Sequence, residues 1–444
     1  MLINPLNRAM HEHEGIPVLP GAFPFLGHLP AMVFNLGRLF EYAERTCGPH
    51  FWVEFGSIGR LLVCNHPDAF DLLKNKSTSS AFLSELAPAF GQAMVMLDGD
   101  THRHMRSRTN EPFLPRGLTA TGVAELFATL ITVRMKEWRT HKEISVVPRA
   151  RDLSLALAFQ MFGIEDSEIP AWNKAYRKYF LYSALPISIP GTPFDRGQSA
   201  QAWIDNKLTA LVHSAREHPD AVGLLASIVH AFDQTEGSLN DTQLLDNLRF
   251  LILAAHDNVA ATLSQILIKL AQHPQHWATL CEEANAAGVI PKSPKDLAQF
   301  PFATAFFRET LRHHPSTPLT FRRALVDLSL GGRTLAAGTD FIVPIGLLSK
   351  HTDVYSNPDE FLPSRWLGRP ESIKPIETVQ FGGGPHYCLG YHMVWLQMVQ
   401  FSVALALTMS AEGLRPKLIS NPQKGGRCFP SSYPYPPPSL WCVT

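Results

Sequence analysis

Along most of the chain, apolar residues return every three or four positions, the spacing that gathers them on one face of an α-helix. This pattern predicts helices over 36–47, 67–74, 122–139, 151–162, 170–182, 197–213 and 220–232. The longest periodic stretch is 241–273, about nine helical turns. One more helix follows Gly390, where an apolar run extends through Leu407 without glycine or proline, as expected of a buried helix. Strand-like pieces are short. Residues 51–55 and 60–64, set around Gly56 and Gly59, make a candidate hairpin. The fold class is mainly α with a small β-rich part.

Proline marks the ends. Residues 1–35 form a proline-rich lead-in, extended wherever a proline restricts its predecessor, and the tail 430–438 is proline-dense and extended. Residues 185–194 carry Pro186, Pro190 and Pro193 among apolar side chains, an exposed apolar loop suited to an apolar ligand. Residues 84–96 are apolar and poorly periodic, which leaves open a ligand-facing segment or a loop packed on the core.

Composition narrows the function. Of 444 residues, 39 are basic and 39 acidic, so the net charge is zero and nucleic acid is not the expected partner. Residues 1–14 hold no apolar run, so neither a signal peptide nor a membrane anchor is expected. Six scattered cysteines (Cys47, Cys64, Cys281, Cys388, Cys428, Cys442) include no C-x-x-C pair, which suits a reducing, cytoplasmic setting.

The candidate chemistry lies at Phe381-Gly382-Gly383-Gly384-Pro385-His386-Tyr387-Cys388-Leu389-Gly390. Three successive glycines predict a tight irregular loop. Cys388 stands just ahead of a helix N-terminus, where the macrodipole favours an anion, and thiolate is the form that ligates a soft metal. The stretch resembles the haem-binding loop of the cytochrome P-450 superfamily, Phe-Gly-x-Gly-x-(His/Arg)-x-Cys-x-Gly, and fills every specified position. The resemblance implies one haem-thiolate domain over 1–444. It places haem b between the long distal helix and the cysteine-loop helix, with Cys388 as axial iron ligand and Phe381, Gly382, His386 and Gly390 around it.

Two more motifs follow the family order. Glu309-Thr310-Leu311-Arg312 and Phe361-Leu362-Pro363-Ser364-Arg365-Trp366 imply a buried Glu309–Arg312–Arg365 triad bracing the haem loop. Upstream, Asp100 or Thr101 is a candidate helix cap. His102 and Arg106 share a face four residues apart, whereas His102 and His104 point to opposite sides and make no metal pair. With Arg322 and His386, the pair is implied to hold the haem propionates as cationic donors. His313 and His314 are expected to be helix-end cations. Val394 and Gln397 stand where the family commonly has Ala and Glu, and are expected to face helix packing.

Ala254-Ala255-His256-Asp257-Asn258-Val259 resembles the distal-helix pattern (Ala/Gly)-Gly-x-(Asp/Glu)-Thr-(Thr/Ser). The small pair leaves room for O2, Asp257 matches the acid that feeds protons, and Asn258 replaces threonine. An asparagine offers an acceptor and a donor of similar reach, but no rotating hydroxyl proton. Ala254, Thr317, Leu319 and Phe429 are implied to line the substrate pocket, with the segment 424–429 folding back towards it. The implied function is a soluble, bacterial-type, monomeric monooxygenase. It would hydroxylate or epoxidise a lipophilic molecule such as a terpenoid, retinoid or steroid, with O2 and electrons from a ferredoxin or flavodoxin and its reductase. Alternatives are a haem-thiolate isomerase or peroxygenase needing no reductase, which Asn258 favours and Asp257 disfavours, and a non-catalytic haem sensor.

Overall fold

A computed structural model describes residues 4, 11–56, 59–74, 76–86, 88–141, 143–184, 193–234, 240–369, 372–420, 422–428 and 431–443. The predicted mainly α architecture is present. Its spine is the helix Asp241–Gln272, 32 residues long. It starts in a capping box: the Asn240 side chain accepts from the Gln243 N–H, and the Gln243 side chain accepts from the Asn240 N–H. Two otherwise orphaned donors are thereby satisfied. Between Val259 and Leu270 every residue is buried, so the stretch has no solvent face. It packs along the helix Val146–Met161.

The cysteine-loop helix, Tyr391–Ser410, is also buried almost all round, against Val123–Arg139, Pro274–Ala287 and Pro301–His313. Asp241–Gln272 and Gly384–Ser410 are long and apolar enough to cross a membrane, yet most of each is buried inside the fold.

The β-rich part is a seven-stranded sheet in the order His11–His13, Ile16–Val18, His50–Glu54, Arg60–Cys64, Asp340–Val343, Thr320–Ala324, Thr78–Ser79. The expected hairpin is its centre, with Trp52 opposite Leu62. Asp340–Val343 adds in parallel to Arg60–Cys64, which brings Thr320–Ala324 in beside it. The tail strand Ser432–Tyr435 pairs with Gln423–Cys428 and packs on the long helix.

Several boundaries differ from the periodicity. The first helix is Leu29–Cys47, because Pro30 sits in its first turn, where a missing N–H costs nothing. It kinks at Asn35 (φ −162°, ψ 58°) and continues through the periodic stretch. Val146–Met161 likewise begins five residues before Arg151 and takes Pro148 into its first turn. Much of the stretch 84–96 is not plain loop but belongs to the short helical turns Ala81–Leu86, Pro88–Phe90 and Met94–Met96. The loop at 185–192 and the pocket candidate Phe429 lie outside the described residues.

Candidate active site

The cysteine loop is shaped by where its glycines must be. Gly384 has φ +60°, and a Cβ there would come within 2.5 Å of the Leu73 carbonyl oxygen. Only a residue without a side chain lets the loop press onto that turn. The Cys388 N–H donates to the Phe381 carbonyl at 2.8 Å, and the Arg106 guanidinium donates to the Tyr387 carbonyl at 2.7 Å. The Cys388 sulfur accepts from the Gly390 N–H. Burial pushes the thiol up, opposed by that N–H and by Arg106. The helix terminus therefore does not by itself make the thiolate expected from sequence. Coordination to a metal ion would do so outright.

Cys388, Leu389 and Gly390 form one wall of a cavity of about 360 Å³, within the range of ligand sites. Ala254, Ala255, Asn258, Val259 and Thr262 of the long helix form the facing wall. Met94 and Val95 close one side, so the segment at 84–96 does reach the ligand space. The long helix holds it there: the Gln92 N–H donates to Asp246 and the Met94 N–H to Asn247. Thr317 lines the cavity as expected, with Ser316 and Thr320 beside it. Leu319 does not; it packs against the core under the large sheet, because successive residues of an extended segment face opposite ways and the next residue, Thr320, takes the cavity side. Val394 and Gln397 also depart from expectation, since both reach the cavity wall.

The four expected propionate partners converge at one end. His102 and His386 have ring centroids 4.3 Å apart, and the charges of Arg106 and Arg322 act on His102. Asp98, unforeseen as a partner, sits among them. Its carboxylate meets His386 Nε2 at 3.0 Å and accepts from the Ser80 N–H at 2.7 Å. Asp98 also precedes the helix, Gly99–Thr109, which starts before the expected Asp100 or Thr101 cap. Burial, with the charges of His386 and Arg106, holds the His102 imidazole down at about 4. It is neutral at pH 7, not the cation expected, and a carboxylate arriving beside it would raise that value. Both His102 ring nitrogens are buried without a partner. His313 and His314 are not cations either. Burial first, and then the charge of Lys269, takes His313 down to about 3 and His314 well below its ordinary value.

Behind the cysteine loop the triad is assembled as the motifs implied. Both Glu309 oxygens accept from Arg312 at 2.8 Å, and Arg365 adds a third bond at 3.1 Å. Trp366 Nε1 and the Leu362 N–H each donate at 2.8 Å, partners that no charge pattern announced. Burial alone would raise the Glu309 carboxyl, but Arg312, the Leu362 N–H and Arg365 hold it below the ordinary value. Arg312 also donates to the Ser349 carbonyl, and the Ser349 hydroxyl accepts from Gln380, next to the cysteine loop.

On the facing wall, Asp257 and Asn258 diverge. Asp257 does not line the cavity: one carboxylate oxygen accepts from the Tyr433 hydroxyl at 2.7 Å and the other is buried without a partner. The Arg151 guanidinium lies 4.4 Å from the Tyr433 ring centroid. Asn258 does line the cavity, and its side-chain carbonyl accepts from Ser431 at 2.7 Å and Thr317 at 3.1 Å. Ser431 and Tyr433 belong to the proline-rich tail, and their only sequence signal was the possibility that the end of the chain folds back.

The cavity fits haem on its own chemistry. The one cysteine sulfur among the lining residues faces a small-residue wall, and two orphaned imidazole nitrogens with two guanidiniums stand where carboxylates would bind. A Cβ on Gly390 would meet nothing within 4 Å, so neither backbone nor protein neighbour requires glycine there, as expected if another group fills the space.

The sequence profile of the family described as Cytochrome P450 matches residues 17–411. The chain is 45% identical over 436 residues to Cytochrome P450 BJ-4 of Bradyrhizobium diazoefficiens, with 98% of each covered. It is equally similar, over the same span, to the Cytochrome P450 BJ-4 homolog of Sinorhizobium fredii. Among solved structures, that of retinoic acid-bound cyanobacterial CYP120A1 aligns with a TM-score of 0.83 at 22% identity, covering 95% of this chain and 97% of that one. Cavity, cysteine loop, triad and relatives agree, and the chain belongs to the cytochrome P450 family.

Proposed function

We propose that this haem b enzyme, an oxygen-inserting oxidoreductase, hydroxylates or epoxidises an apolar small molecule of terpenoid, retinoid or steroid type. For hydroxylation the balance is substrate C–H plus O2, two electrons and two protons, giving C–OH and water. The family draws its electrons from a redox partner. Here we assign that role to a separate ferredoxin or flavodoxin with its reductase, serving a monomeric, soluble enzyme in the cytoplasm whose whole chain acts as one haem domain. The observation carrying the reading is the cavity itself, with Cys388 on one wall and an apolar wall broken by Asn258 opposite.

Haem b, when bound, supplies the iron that binds and activates O2. Cys388 holds that iron through sulfur and gives it electron density. Phe381, Gly382 and Gly390 shape the loop around the ligand, while His102, Arg106, Arg322 and His386 hold the propionates. Glu309, Arg312 and Arg365 keep the cysteine loop in place. Ala254, Ala255, Val259, Phe250 and Leu251 exclude water from the reaction and receive the substrate's apolar surface. Asn258 would present a hydrogen-bond donor into the cavity where oxygen is reduced, and Asp257 would hold a proton behind it. The retinoic acid of the solved relative, an apolar polyene acid, supports the substrate class.

The test uses the purified holoenzyme with surrogate ferredoxin, reductase, NAD(P)H and a panel of lipophilic natural products. The reading predicts a binding-induced change in the haem spectrum, followed by a product carrying one atom of isotopically labelled O2. Rearrangement of a hydroperoxide without electrons would make the enzyme an isomerase. Ligand binding with no turnover under any condition would make it a sensor.

A further inference from the structure

The Asn258 side chain is clamped from outside the helix that carries it. Its carbonyl oxygen has two lone pairs, and both are used, by Ser431 and by Thr317. Neither hydroxyl has another acceptor among the described residues, and Ser431 is 2% exposed. Turning the amide over would let its NH2 donate to the two hydroxyl oxygens but would leave the buried Ser431 hydroxyl proton, and that of half-buried Thr317, without an acceptor among the described residues, a costly outcome. The amide nitrogen has no hydrogen-bond partner among the described residues, and Asn258 lines the cavity.

Ser431 is itself held tightly. The next residue, Ser432, donates its N–H to the Ser316 carbonyl at 2.8 Å, one residue before Thr317. Two positions on, the Tyr433 hydroxyl reaches both the carboxylate and the backbone carbonyl of Asp257. Alternate residues of an extended chain face the same way, so one strand grips two successive residues of the helix. Gripping adjacent positions fixes the strand along the helix as well as across it.

We infer that Ser431 is a positioning residue for oxygen activation: with Thr317 it sets the Asn258 amide carbonyl-outward, so that the NH2 and not the carbonyl faces the cavity. The inference rests on the proposed donor role of Asn258 and adds what decides the sign of that group. A threonine hydroxyl chooses its own direction of donation. An asparagine must be told which end to present, and the tail of the chain tells it.

Carbon monoxide bound to the reduced holoenzyme reports the donor without turnover, because a nearby N–H lowers the infrared C–O stretch. Wild type should show one band, and Asn258→Ala should move it to higher wavenumber. Ser431→Ala should keep its haem and split the band, raising the carbonyl-inward population about fivefold, the worth of one neutral hydrogen bond of about 1 kcal/mol. Hydrogen peroxide formed per NAD(P)H should rise in parallel, and Ser431→Thr should restore the single band. Should Ser431→Ala lose haem, Thr317→Val removes the other donor and should split the band in the same way. A single wild-type band in both donor variants, with Asn258→Ala shifted, overturns the role of Ser431 and leaves that of Asn258 standing. An unshifted band in Asn258→Ala overturns the donor reading, and the inference falls with it.

Discussion

Cys388 on one wall of the cavity and Asn258 on the other are held by different kinds of contact. The cysteine is fixed by its own neighbourhood: a glycine with positive φ at 384, a backbone bond to Phe381 and a sulfur contact to the Gly390 N–H. Behind that loop lies the charged triad, with Glu309 and Arg312 fully buried and Arg365 nearly so. The asparagine is fixed by two neutral hydroxyls, one 59 and the other 173 residues away in the chain. A metal ligand must tolerate a strong bond without moving, which suits a rigid local loop. A proton-handling group needs only a direction, which two modest hydrogen bonds supply.

The contrast sets the order of effects to be expected. Cys388→His should abolish oxygenation altogether, measured as product from any substrate that wild type oxidises; retained turnover would remove the sulfur from the chemistry. Glu309→Ala and Arg365→Ala should come next. Breaking a buried charge network costs roughly 3–5 kcal/mol, a large share of a domain's total of about 5–15 kcal/mol. Both variants should lose haem or unfold, whereas Trp366→Phe, which removes one bond to the same carboxylate, should cost about 1.5–3 kcal/mol. Denaturation midpoints and haem content read this series, and normal, haem-replete alanine variants would break the claim that the triad braces the loop.

On the oxygen side the losses should be in coupling, not in folding. Asn258→Ala should bind substrate and accept electrons, yet send severalfold more of them to hydrogen peroxide. Asn258→Thr should stay coupled, since a hydroxyl also donates. Unchanged product per NAD(P)H in Asn258→Ala would reduce the residue to packing. The most gradual effect is on pH. His273 and His313 are held at about 4 and about 3 in the fold, mainly by burial, against an ordinary value of 6.5. Between those limits the unfolded chain binds more protons, so stability should fall as pH drops from 6.5 towards 4. A urea midpoint flat over that window would contradict it.

The same contrast governs what the residues announced in advance. The cysteine loop was legible because its glycines and cysteine keep a fixed local spacing, and the Glu309–Arg312–Arg365 triad because its two motifs follow the family order. The long helix was legible from its period. Asp98, the bond from Trp366 to Glu309, Ser431 and Tyr433 were not, because each acts through a contact that exists only once distant segments meet. The neutral state of His102, His313 and His314 was hidden for the same reason: burial decides it, and burial belongs to the assembled fold. Pro30 and Pro148 sit harmlessly in first turns, ahead of the stretches where the apolar period shows.

The central claim is that Cys388 ligates haem iron as thiolate in a cavity closed by Asn258. The most direct measurement is the absorption spectrum of the purified, reduced wild-type protein under carbon monoxide. A strongly red-shifted Soret band, lost in Cys388→His, is the predicted result. A Soret band at the position of histidine-ligated haem in the wild-type protein would contradict the account.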